Sequence, residues 1–139
     1  KISGPLLDRI DIQVEVPSLG FDSLSDKRPS ESSSVIRERV NKARNRAVER
    51  FKNEKTYEGR NVFSNSAMTS TQIRKYCILS KEAKDILRQA FDSMGLSARG
   101  YDRILRVALT IADLASSNTI EAEHIAEAIQ LRSLDRKYF

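Results

Sequence analysis

Two arginines stand in settings suited to handling a phosphate group. Arg9 lies between a turn containing Gly4 and Pro5 and a stretch of alternating apolar and polar residues. Arg99 falls in the first turn of an expected helix, just behind Ser97. Free backbone amides and the helix macrodipole already favour an anion there. A guanidinium held at that point adds a planar, bidentate phosphate donor. Each has an ordinary alternative: Arg9 as a surface ion-pair partner of Asp8 or Asp11, and Arg99 as the partner of Asp102.

Other familiar chemistries find little support. His124 is the single histidine; only Glu121, Glu123 and Glu127 are near it as metal partners, and it reads as a capping or surface residue. Cys77 is the single cysteine, with no disulfide or metal partner, and reads as a half-buried apolar thiol in a reducing cytoplasm. No serine or cysteine nucleophile has a histidine in reach. The five glycines are scattered and no GxxxxGK[ST] loop is present, so the chain itself is expected neither to hold nor to hydrolyse ATP.

These residues need a scaffold, and 139 residues suffice for one modest domain. With 40% hydrophobic and 31% charged residues the composition is that of a globular protein. No apolar run is long enough to span a bilayer, and no secretory signal opens the chain. Residues 9–17 alternate, with Ile10, Ile12, Val14 and Val16 on one face, which predicts a half-buried strand ended by Pro17. No second strand is evident, so its ladder partners are expected in a sheet upstream. Residues 20–34 read as a linker. A helix begins near 32–34 with the apolar stripe Ile36, Val40, Ala43, Ala47 and Phe51, and 53–66 reads as a loop. Further helices are expected over 69–76; from Ser80 to about 94, stopped by Gly95; over 97–114; and over 121–133. Their core positions include Ile86, Phe91, Ile104, Leu105, Ile125 and Ile129. The sum is a mainly α helical bundle preceded by one orphan strand.

The net charge of +5 is concentrated. Residues 35–60 hold nine basic and four acidic side chains, a difference of 9 − 4 = +5. Such a surplus permits contact with a polyanion. A standalone basic helical module that binds nucleic acid is therefore an alternative reading, and a purely structural oligomerisation domain a third.

Four separated segments carry a resemblance: SGPLLDRIDIQVEVP (3–17), ESSSVIRERV (31–40), GLSARGYDRILRVALTIADL (95–114) and HIAEAIQLRSLDR (124–136). Together they resemble the magnesium-chelatase-like ComM/YifB family of bacterial AAA+ proteins, in the same order and over nearly the whole chain. The resemblance implies that 1–19 is the trailing strand of an AAA+ core, 20–34 a linker and 35–139 a C-terminal helical lid. It implies that Arg9 is an arginine finger acting on the γ-phosphate held by a neighbouring subunit. Arg99, in an S/T-x-R pattern, would be the sensor 2 residue on the ATP phosphates, and Arg103 and Arg106, one and two turns on, stand behind it as candidates. Gly100 and Leu109 depart from the family, which carries a bulkier residue and commonly an arginine there. The implied whole is a cytoplasmic, hexameric, ATP- and Mg²⁺-dependent motor acting on DNA during natural transformation, with no membrane partner. Magnesium insertion into a porphyrin is not the function implied.

Overall fold

Short polar side chains open the helices of the bundle. In the computed structural model, which describes Leu6, residues 9–18 and residues 29–132, five α-helices have both ends inside the described residues. They are α1 (Ser33–Arg50), α2 (Ser70–Tyr76), α3 (Lys81–Met94), α4 (Ala98–Leu114) and α5 (Ala122–Gln130). Ser32, Thr69, Ser80 and Ser97 each accept from an amide of the following first turn, satisfying a donor that the helix itself cannot. Thr69 forms a reciprocal box, its own N–H donating to Gln72 Oε1 at 2.9 Å. At α5 the N-cap is Glu121, and His124, three residues on, closes a capping box: its Nδ1 accepts from Glu121 N–H at 3.0 Å. Gly95 ends α3 in the left-handed region, with φ 59° and ψ 41°.

The apolar faces of these helices converge on α4, which packs against α1, α2, α5 and a 3₁₀ turn at Asn65–Ala67, while α3 packs on α5. Phe51, Val62, Ile73, Ile104, Ile120 and Ile125 fill the interior. Removing any of the large aliphatic ones would cost about 2–5 kcal/mol. Two single bridges tie the connections. Leu79 pairs with Ile120 in parallel, locking the α2–α3 loop to the α4–α5 loop. Lys55 pairs antiparallel with Asn61 around a turn at Gly59 (φ 77°), so the expected 53–66 loop is a small closed hairpin held down by Val62.

A buried polar cluster joins α1 to α4. Asp113, 2% exposed, accepts from both terminal nitrogens of Arg50, from Arg46 Nε at 3.4 Å and from Asn65 Nδ2 at 3.0 Å. Arg46 continues to Ser117 O and Asn118 Oδ1 at 2.7 and 2.8 Å.

Three expectations need correction. Residues 9–18 form no strand: Ile10, Ile12, Val14 and Val16 are 38, 51, 65 and 84% exposed. Alternation alone makes no strand without a ladder partner. Among the described residues this segment is held instead by Gln13 N–H on Leu131 O at 2.7 Å, by Arg132 Nη1 on Ile10 O at 3.3 Å, and by Asp11 on Arg103. The apolar stripe of α1 is buried only at Ala43, Ala47 and Phe51; Ile36 and Val40 lie on a part of the helix that projects past the bundle. Phe91, expected in the core, is 43% exposed. The expected linker overlaps the described residues only at 29–34, where α1 already begins at Ser33; its first part, and the expected end of the last helix at 133, lie outside them.

Candidate functional site

Arg99 is the second residue of α4. Its turn is anchored by Ser97 Oγ, which accepts from Gly100 N–H at 3.0 Å, and by the burial of Gly100 and Ile104 behind it. The Arg99 side chain is left exposed. The ordinary partner considered for it does not pair with it: Asp102 forms no ion pair with Arg99, and its Oδ2 accepts from Ser70 Oγ at 3.1 Å. Arg99 therefore presents a cation at a helix start that already carries unpaired amides.

It does not stand alone. Helices α2, α3 and α4 border an open cleft of about 1100 Å³. Arg74 of α2, Lys84 and Arg88 of α3, and Arg99, Arg103 and Arg106 of α4 line it, against the single carboxylate Asp102. Ile73, Leu87 and Leu105 give it an apolar floor. One wall is aromatic: Phe91 and Tyr101 meet edge to face with ring centroids 6.3 Å apart.

The cations differ in their commitments. Arg103 is ion-paired with Asp11, and Arg106 Nη2 donates to Met68 O at 2.8 Å. In both, the buried Nε has no acceptor among the described residues. Arg74, Lys84, Arg88 and Arg99 have no ion pair with a described carboxylate. Arg9 follows a turn, its N–H donating to Leu6 O at 3.0 Å, and its side chain is exposed. The structure thus gathers Arg99, Arg103 and Arg106 in one cleft and leaves Arg9 outside its lining. Because Asp11 binds Arg103, the segment bearing Arg9 is nevertheless fastened to a residue of the cleft wall.

Other titratable groups here are structural. Burial pushes the Cys77 thiol up to about 12, against the smaller opposite pull of Arg50 and Arg106, so it is a protonated floor residue at neutral pH. His124 is 3% exposed and closes the capping box of α5; it is not at the surface. Among the described residues no group of three histidine, cysteine, aspartate or glutamate side chains converges as a metal site. The basic surplus of 35–60 is partly neutralised: Arg39, Lys42 and Arg60 pair with Glu31, Glu38 and Glu58, and Arg46 and Arg50 turn inward to Asp113.

Sequence reasoning found the α4 arginines but missed Arg74, Lys84 and Arg88. A signal was present on α3, where Lys84, Arg88 and Phe91 recur at intervals of four and three and so share a face.

Comparison with known proteins agrees with this architecture. The family model described as magnesium chelatase, subunit ChlI C-terminal, matches residues 30–132. The chain is 36% identical over 137 residues to the uncharacterized protein YifB of Escherichia coli and, to the same extent, to the competence protein ComM of Haemophilus influenzae. An uncharacterized protein of Mycobacterium bovis is 36% identical over 132 residues. These alignments cover 98, 98 and 95% of the chain but 25% of each relative, so the chain spans a quarter of their length.

Proposed function

The chain belongs to the magnesium chelatase subunit ChlI C-terminal family, and on that premise we propose that it is the lid of a ring-forming AAA+ ATPase that drives DNA remodelling. Residues 35–139 are the helical lid in this reading, 1–19 the end of the ATP-binding core, and 20–34 the link between them. The observation that carries it is Arg99: an exposed guanidinium without a carboxylate partner among the described residues, at the start of α4 and in a cleft with five other cations. Such a group reads phosphate charge from the lid side and couples it to the position of α4, around which the bundle is packed.

Arg9 is assigned the complementary task in trans. Exposed behind a turn, it would reach the γ-phosphate held by a neighbouring subunit and stabilise charge on the transferring phosphoryl group, an effect of about 10³–10⁵-fold in rate. The cleft cations fit a polyphosphate. Mg²⁺ would arrive with ATP and neutralise phosphate charge; the lid's own residues bind and orient the phosphates. DNA as the polymer, a hexameric ring, a bacterial cytoplasmic setting and a part in natural transformation are drawn from the family and from the relative named for competence. No helix of the described residues is long and apolar enough to cross a membrane, and no membrane partner is assigned.

The alternative of a standalone nucleic-acid-binding module is disfavoured by α1 itself. Five of the nine basic residues of 35–60 are ion-paired, two of them toward the interior. The deciding experiment is DNA-stimulated ATP turnover of a full-length protein containing this chain. Arg9→Ala should lower turnover by about two orders of magnitude or more with nucleotide binding retained. Unchanged turnover would reduce Arg9 to a surface side chain and refute the in-trans role.

A further inference from the structure

Lys84, Arg88 and Phe91 form a single row on α3, facing α2 and the start of α4 across the cleft. Two like charges four residues apart repel on an isolated helix. Here the repulsion is increased by Arg74 from α2 and Arg99 from α4, and none of the four has a described carboxylate to neutralise it. Cations brought together by three separate helices over an apolar floor are complementary to an anion of several charges. The row does not end in a charge. Phe91 comes next, part-exposed and in a T-shaped contact with Tyr101, an apolar ring beside the cationic row.

A ligand matching both parts has a chain of negative groups joined to a flat aromatic ring. We propose that Arg74, Lys84 and Arg88 contact the phosphate chain of a nucleoside triphosphate alongside Arg99, and that Phe91 covers its base. The inference rests on the nucleotide reading of Arg99 and extends it to residues of two further helices. Three of the four cations lie on two different helices, α3 and α4, joined by the short turn at Gly95–Ser97. A bound phosphate chain would therefore clamp α3 to α4 and stiffen the lid. Arg103 and Arg106, each with a buried Nε that has no acceptor among the described residues, line the same cleft.

The test is a titration of the 139-residue chain at low ionic strength with ATP and, separately, with inorganic tripolyphosphate, followed by amide chemical shifts. Binding is expected in the high-micromolar to millimolar range, because no phosphate loop is present. Arg88→Gln, Lys84→Gln and Arg74→Gln should each weaken both ligands roughly three- to tenfold, as expected for one exposed charge-assisted contact. Phe91→Ala should weaken ATP and leave tripolyphosphate unchanged. All four side chains are exposed, and circular dichroism of each variant checks that the bundle is intact.

If the triple variant Arg74→Gln/Lys84→Gln/Arg88→Gln binds both ligands as the parent does, the proposal is overturned. Loss in Arg99→Gln alone would do the same while leaving the sensing role of Arg99 standing. Loss in the triple variant but not in Arg99→Gln would uphold the cleft and remove the sensing role. A single-stranded oligonucleotide that displaces ATP at equal phosphate concentration and binds more tightly would make the cleft a nucleic-acid backbone site, and the proposal would fall.

Discussion

Asp113, itself buried, accepts from Arg50 through both carboxylate oxygens and also from Arg46 and Asn65. Replacing it with alanine would remove the shared carboxylate, leaving Arg50 with Asn65 Oδ1, Arg46 with Ser117 O and Asn118 Oδ1, and Asn65 with Thr110 Oγ1, but no anion to balance the two guanidinium charges. Removal of one partner from a buried ion pair costs about 3–5 kcal/mol; Arg46 is partly solvated, so Asp113→Ala should lose about 3 kcal/mol in urea denaturation, whereas Arg39→Ala on the exposed part of α1 should leave the urea midpoint nearly unchanged. Glu54 gives a pH signature. Hydrogen bonds from Lys75, Tyr76 and Gln72 hold its carboxyl down at about 2, from an ordinary 4.5. The folded state therefore holds the proton less tightly than the unfolded chain. The stabilisation is present above about 4.5 and disappears as the pH falls through about 2. Thermal melts of Glu54→Gln and the parent should differ most above that window and converge at its acid end. A constant difference across it would show that Glu54 is no anchor for the hairpin.

At the scale of elements, the caps at Ser32 and Ser80 and the stop at Gly95 were legible because each is completed within a few residues, whereas Thr69 and Ser97, read as first helical residues, prove to be caps as well. Ser32, Thr69, Ser80 and Ser97 accept from amides three residues on, and Gly95 adopts the left-handed conformation at which α3 must end. A Cβ at Gly95 would meet nothing within 4 Å, so Gly95→Ala is opposed by backbone conformation alone. It should destabilise the chain by about 1–2 kcal/mol, read as a lower urea midpoint with unchanged slope. The elements that misled were those whose periodicity was right but whose partner was missing. Ile36 and Val40 continue the stripe of Ala43, Ala47 and Phe51, yet no described element reaches them. The alternating segment 9–18 likewise has the pattern of a strand without a ladder. Periodicity reports which residues share a face; it carries no information on whether that face is covered.

Across the whole molecule stability should follow distance from α4. Amide exchange is expected to be slowest at Ile104–Ala112, where α4 is surrounded, and fastest over 9–18, apart from Gln13, and over the projecting first turns of α1. Equal protection in 33–42 and 104–112 would contradict this gradient. The sequence by itself determined the helices and several of their ends, because short-range hydrogen bonding and apolar spacing act along the chain, while the candidate role of Arg99 came from the family resemblance. Only the tertiary structure decided which charges remain available. Arg50 meets Asp113 across 63 residues, and Arg103 meets Asp11 across 92. Asp102 bonds to Ser70 and forms no ion pair with Arg99, and Arg74, Lys84 and Arg88 arrive from other helices. An arginine's partner is set by whichever acceptor the packed helices bring within about 3 Å, and that proximity is a property of the assembled bundle.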